Sequence, residues 1–184
     1  MDEIDYGPLT GLIGEWRGDK GVDIAPEPDG PDENLYYETL NFEAVGDVDN
    51  AGEQFLAIVH YTQVVQRKSN DEVFHHQAGY FLWDADKQLV MHSFTIPRGV
   101  AVVAGGKATI DDDQVVIEVV AGEADPAWPI AESAFMAEKA STVSFAMRLE
   151  ICGDELCYQQ TTLVDIYGNK HFEHTDQNVL QRVK

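Results

Sequence analysis

Basic residues are scarce in this 184-residue chain: 12 Lys and Arg stand against 33 Asp and Glu, a formal net charge of −21. Nucleic-acid binding draws on clustered cations that neutralise phosphates, so that class is excluded, and anionic membrane surfaces are disfavoured for the same reason. Long apolar runs are also missing; none approaches the ~18–20 residues of a membrane helix. The acidic start Met1-Asp2-Glu3-Ile4-Asp5 has no apolar core of the kind a secretory signal carries, which makes a cytoplasmic location the expectation. Cysteine is limited to Cys152 and Cys157, flanking the turn pair Gly153-Asp154. A disulfide around so short a loop adds little and the cytosol is reducing, so both read as thiols, and without a C-x-x-C spacing they do not form a zinc site. There is no G-x-S-x-G, no P-loop and no reactive-cysteine context, which leaves nucleophilic catalysis without support. Asp47, Asp49 and Asn50 precede Gly52 in the manner of a calcium loop, but Ile58 stands where its closing glutamate belongs. The excess acidity is read as a solubility feature.

What the chain has is a succession of strand-like segments. Thr142–Ile151 alternates strictly, with Val143, Phe145, Met147, Leu149 and Ile151 on one face. Tyr36, Glu38, Leu40 and Phe42 likewise share a face. Gln54–Arg67, Glu72–Trp83, Gln88–Ile96, Val100–Ala104, Lys107–Ile110, Gln114–Ala121, Leu156–Tyr167 and Lys170–Arg182 are rich in β-branched and aromatic residues and bounded by turn residues. Pro26–Asp32 reads as an exposed loop, Gly105-Gly106 as a break between strands, and Ile130–Ala140 as a short helix. About ten strands joined by tight turns imply antiparallel neighbours, and closing them into an up-and-down barrel removes the exposed edges. The expectation is therefore an all-β barrel of the lipocalin and fatty-acid-binding-protein type, one domain over residues 1–184, wide enough to enclose a cavity. A β-sandwich is the competing architecture.

Four patches carry a family resemblance over about residues 9–184. Leu12-Ile13-Gly14-Glu15-Trp16-Arg17-Gly18 is similar to an opening G-x-W-x-G, and Glu53-Gln54-Phe55-Leu56-Ala57 to a K-P-F-L-A strand start. Phe74-His75-His76-Gln77-Ala78-Gly79-Tyr80-Phe81 is similar to M-H-A-E-[ST]-G-Y-[LF], and Ile96-Pro97-Arg98-Gly99-Val100 to H-P-T-G-[IV]. Together they resemble the nitrobindin-like haem-binding β-barrels, which include the C-terminal domain of human THAP-type proteins and belong with the calycins. The resemblance implies a haem b cofactor, held by a histidine of the last strand within H-L-x-A-x-L-x-R. It also implies nitric oxide chemistry and peroxynitrite isomerisation where haem is bound.

Aligning on Leu180 and Arg182 places Thr175 at that ligand position. His174 therefore reaches it only if the last strand bulges by one residue, because a one-residue shift reverses the face. His174 is the candidate haem-iron ligand. His75, Phe74, Arg98 and His60 match the family's distal His, its Met, its Thr and its Gln and are the candidate pocket residues. Parity admits one of His75 and His76 to the cavity, and His60 shares its face with Leu56, Ile58 and Thr62. Trp16 and Arg182 are read as structural, with the guanidinium of the last strand lying across the indole of the first and closing the barrel.

Two alternatives accompany the haem reading. One is a haem-free carrier of a fatty acid or other apolar small molecule, with Arg98 or a histidine at its head group. The other is an enzyme of unknown type using a cluster of His60, His75 and His92; Glu38 and Glu118 also sit amid apolar residues, but strands of unknown register do not make them a carboxylate pair. The partner in either binding reading is a small hydrophobic ligand. The oligomeric state is left open, a homodimer included.

Overall fold

The computed structural model describes residues 4–184; Met1–Glu3, at the head of the acidic start, lie outside the described residues. A 3-10 turn over Gly7–Leu12 leads into β1 (Gly14–Glu27), β2 (Gly30–Val48), β3 (Leu56–Arg67), β4 (Val73–Asp84), β5 (Leu89–Ile96), β6 (Val100–Asp111) and β7 (Gln114–Gly122). A three-residue β8 (Ile130–Glu132) and a helix α1 (Ala134–Lys139) follow, then β9 (Ala140–Cys152), β10 (Glu155–Ile166) and β11 (Asn169–Arg182). Successive strands pair antiparallel, β7 pairs with β9, and β11 returns to β1, so ten strands form a closed barrel. The small β8 continues the edge of β6 over Val100–Val102, beyond the point where β7 leaves it.

Closure depends on the β1–β11 seam, where Trp16 and Arg182 are register partners. The Arg182 guanidinium lies 4.1 Å from the Trp16 ring centroid and donates to the Ile13 carbonyl at 2.6 Å and the Gly11 carbonyl at 2.7 Å. Trp16 donates in turn to the Leu12 carbonyl at 2.7 Å, so the seam also fixes the 3-10 turn. Leu9 and Leu12 of that turn are fully buried and touch the core between β4, β6 and β7, filling one end of the barrel. At the other end Met136 of α1 lines the interior; Ser133 caps that helix by accepting from the Met136 amide at 3.3 Å.

The strand limits differ from the sequence expectation in three places. The proline-rich stretch 26–32 is not a loop: β1 and β2 run out as a ribbon with Pro26 opposite Pro31, and only Pro28-Asp29 turns. Proline lacks an N–H, but at the tip of a two-stranded ribbon few ladder bonds are forfeited. Gly105-Gly106 does not break β6. The Trp128 ring covers Gly105 so closely that a Cβ would sit 1.9 Å from it, and the glycine supplies that approach. Residues 130–140 begin as strand, and the helix occupies only 134–139.

Candidate functional site

The barrel encloses a cavity of about 350 Å³ with two unlike walls. One is apolar, built by Phe94, Val100, Val102, Met136 and Phe145 from β5, β6, α1 and β9. The other is polar, built by β1, β3, β4, β10 and β11, and its centre is His174.

His174 faces the cavity by plain alternation. The β10–β11 ladder runs without a shift from Leu163↔Glu173 through Leu156↔Leu180, so His174, Asp176, Asn178 and Leu180 lie on one face and Thr175 on the other. The bulge expected on β11 is absent there. It lies across the ladder, on β1, where residues 19–21 stand opposite only Asn178 and Val179. This extra residue reverses the parity of β1: Trp16 and Gly18 face inward before it, and Gly21 and Asp23 after it. Asp23, which is 3% exposed, thereby becomes the inward register partner of Asp176.

The three side chains converge. His174 Nε2 lies 2.6 Å from Asp23 Oδ1 and 3.9 Å from Asp176 Oδ2. Asn34 donates to the other Asp23 oxygen at 3.1 Å, and Gln160 donates to Asp176 at 3.3 Å. Two carboxylates facing one another across a ladder repel, and the imidazole between them offsets that. Burial pushes the Asp176 carboxyl up to about 7, with the Asp23 charge adding to the effect and His174 opposing it. Burial by itself disfavours a charged His174, but the Asp23 bond and the Asp176 charge outweigh it and raise its pKa.

His75 also lines the cavity, while His76 is exposed. His75 Nε2 lies 3.3 Å from Gln77 Oε1; Gln77 donates to the Tyr61 hydroxyl, and that hydroxyl lies 2.8 Å from His92 Nε2. Burial lowers the His75 pKa, so this second imidazole is neutral. Phe74 lies on the cavity as well, against alternation, because β4 bulges between Val73 and His75. Its ring packs edge-on to Tyr36 with the Arg67 guanidinium 4.5 Å away.

Two candidate residues lie elsewhere. His60 is on the outer face of β3, beside Glu43 and the Tyr80 ring; its neighbours Val59 and Tyr61 point inward. Arg98 is exposed in the turn between β5 and β6 and does not line the cavity; Arg67 is the cation that does. His92 is fully buried, stacked between Phe81 at 4.1 Å and Phe94 at 4.7 Å, with its Nδ1 unpartnered. A joint site of His60, His75 and His92 is thus ruled out by placement: outer face, cavity and packed core. Among the described residues, the group whose ligand atoms lie close enough to share a metal ion is Asp23, His174 and Asp176.

Behind the polar wall, the buried Glu38 accepts from Gln63 at 2.6 Å, Asn178 at 2.7 Å and the Tyr158 hydroxyl at 3.1 Å. Tyr158 is 2.7 Å from the Tyr36 hydroxyl. Glu118, by contrast, is exposed and pairs with Arg148. Sequence reasoning missed Asp23. The signal for Asp23 was Gly18-Asp19-Lys20-Gly21, two glycines three apart inside a strand, a spacing suited to a bulge.

Residues 5–182 match the model of a family described as a THAP4-like, haem-binding β-barrel domain. No curated protein matches the chain. Among solved structures, the crystal structure of Rv2717c from M. tuberculosis superposes with a TM-score of 0.74 at 20% identity, covering 98% of this chain and 100% of that one. At that identity the likeness speaks for the fold.

Proposed function

Because the chain belongs to the THAP4-like haem-binding β-barrel family, a nitrobindin-like group of ligand-binding barrels, we propose that it binds haem b in its cavity with His174 as the iron ligand. The observation that carries this is the inward position of His174 on a cavity whose opposite wall is apolar. The side chains fit the group: an imidazole whose side chain is 31% exposed offers a nitrogen donor, and Phe94, Val102 and Phe145 offer a dry surface to a flat macrocycle. The contact that has to open is the bond from His174 to Asp23. When bound, haem would supply a redox-active iron for chemistry of the nitric oxide and peroxynitrite type.

This chain's own residues would do the rest. Before the ligand arrives, Asp23 holds the His174 ring through Nε2, and Asp176 adds its charge beside the same nitrogen. The apolar wall excludes water from the ligand face. His75, neutral, presents a second imidazole to the cavity and stays oriented by Gln77. The protein would act in the cytoplasm. Titration of purified protein with haemin tests the reading. A shifted Soret band that His174→Ala abolishes is the expected result, whereas no shift in the wild type, or a shift indifferent to His174, overturns it.

A further inference from the structure

Asp23 is held from behind. Asn34 Nδ2 donates to its Oδ2 at 3.1 Å, Arg67 Nε donates to Asn34 Oδ1 at 2.8 Å, and the Arg67 guanidinium rests on the Phe74 ring. Side chains from β2, β3 and β4 thus fix a carboxylate that is itself 3% exposed. His174, opposite it, has 31% of its side chain open to the cavity. If the pair is pulled apart, the imidazole moves and the carboxylate stays. The nitrogen facing Asp23 is Nε2, the ring nitrogen farther from the backbone and the better placed to reach into the cavity.

We infer that Asp23 is a specificity-determining residue of the cavity: its carboxylate competes with an iron centre for His174 Nε2 and so sets how tightly the barrel takes haem. The inference rests on the haem reading above. It also separates two ligands of nearly the same shape. Haemin must break the Asp23–His174 bond to be ligated, whereas metal-free protoporphyrin has no centre that competes for the imidazole. Asp176, 3.9 Å from the same nitrogen, contributes charge without holding the ring.

The test is a titration of wild type, Asp23→Ala and Asp176→Asn with haemin and, in parallel, with protoporphyrin IX. A charge-assisted hydrogen bond contributes about 1.5–3 kcal/mol, so Asp23→Ala should tighten haemin binding by about tenfold to a hundredfold. Protoporphyrin affinity should stay as in the wild type, and Asp176→Asn should change haemin affinity much less. Asp23→Asn, which keeps the side chain's size, should shift haemin affinity the same way by a smaller factor if the alanine variant does not fold. Weaker haemin binding in Asp23→Ala, or equal tightening toward both porphyrins, overturns the inference while leaving haem binding standing. Absence of haemin binding in every variant overturns both. In the unliganded protein, the downfield ring-proton resonance of a short imidazole–carboxylate bond should be present in wild type and lost in Asp23→Ala; its absence from wild type also refutes the competition.

Discussion

Replacing Glu38 with Gln should change the pH dependence of stability in a direction the structure fixes. The carboxyl is 3% exposed, and burial pushes its pKa from 4.5 up to about 7, even though the bonds from Asn178, Gln63 and Tyr158 pull it back. Because the folded value is raised above the unfolded one, the group's contribution is fully present below pH 4.5 and is lost as pH rises through about 7. The difference between those two values, at about 1.4 kcal/mol per unit, amounts to about 3 kcal/mol. Glutamine is neutral at every pH, so the stability of Glu38→Gln relative to wild type should rise by up to about 3 kcal/mol between acid and alkaline pH, whatever the offset in acid. The raised Tyr36 and Tyr158 hydroxyls stay protonated over the range tested in both proteins, and the Glu38 charge is the smallest of the contributions that bear on the Asp176 carboxyl. Urea unfolding of both proteins from roughly pH 4 to pH 8 reads the difference directly. A gap that stays constant over that range would refute the argument, because it would mean Glu38 titrates alike in the folded and unfolded chain.

Two further outcomes follow from the barrel's construction. Arg182→Ala removes the cation over Trp16 and two bonds to backbone carbonyls, and should lower unfolding stability by about 2–4 kcal/mol, with Arg182→Lys recovering less than half because an ammonium cannot span both carbonyls while stacking. Chemical denaturation checks both variants. His92→Phe removes the unpartnered Nδ1 but also the 2.8 Å bond between Nε2 and the Tyr61 hydroxyl, and near neutrality should cost about 1–3 kcal/mol. Burial pulls the His92 pKa down to about 3 from 6.5, so wild type should lose stability relative to His92→Phe as pH falls through that window, visible as a steeper acid transition.

The barrel was legible because its signals are local. In Thr142–Ile151 alternation names the strand, and the flanking Gly153-Asp154 names the turn; neither depends on distant residues. The seam was legible too, since Trp16 and Arg182 are bulky residues near the two ends of one strand order. Which face of a strand turns inward was harder to read. Ala57, Val59 and Tyr61 are as apolar as Leu56 and Ile58, so sequence gave His60 no reason to point outward, and only the closed sheet decides it. Residue counting against the family's pattern called for a bulge between His174 and Leu180, but the strand alternates there without one, and His174 faces inward on its own parity. Here β1 carries one opposite β11, and with it comes Asp23, whose parity reads as outward until the bulge is known. Arg98 was misplaced for a related reason: a turn residue beside a strand end can bend either way, and this one leaves the cavity.

The β1 bulge also means that the polarity of this wall tolerates a change in chain length. Removing one residue from 19–21 would close the bulge and keep Asp23 inward opposite Asp176, because the shortened strand then alternates regularly from Trp16 to Asp23. Every cavity side chain on the other strands would be untouched, and His174 would still face a carboxylate. Only a slip of the β1 pairing by one residue, which would turn Val22 and Ile24 inward, would exchange the acid lining for an oil lining.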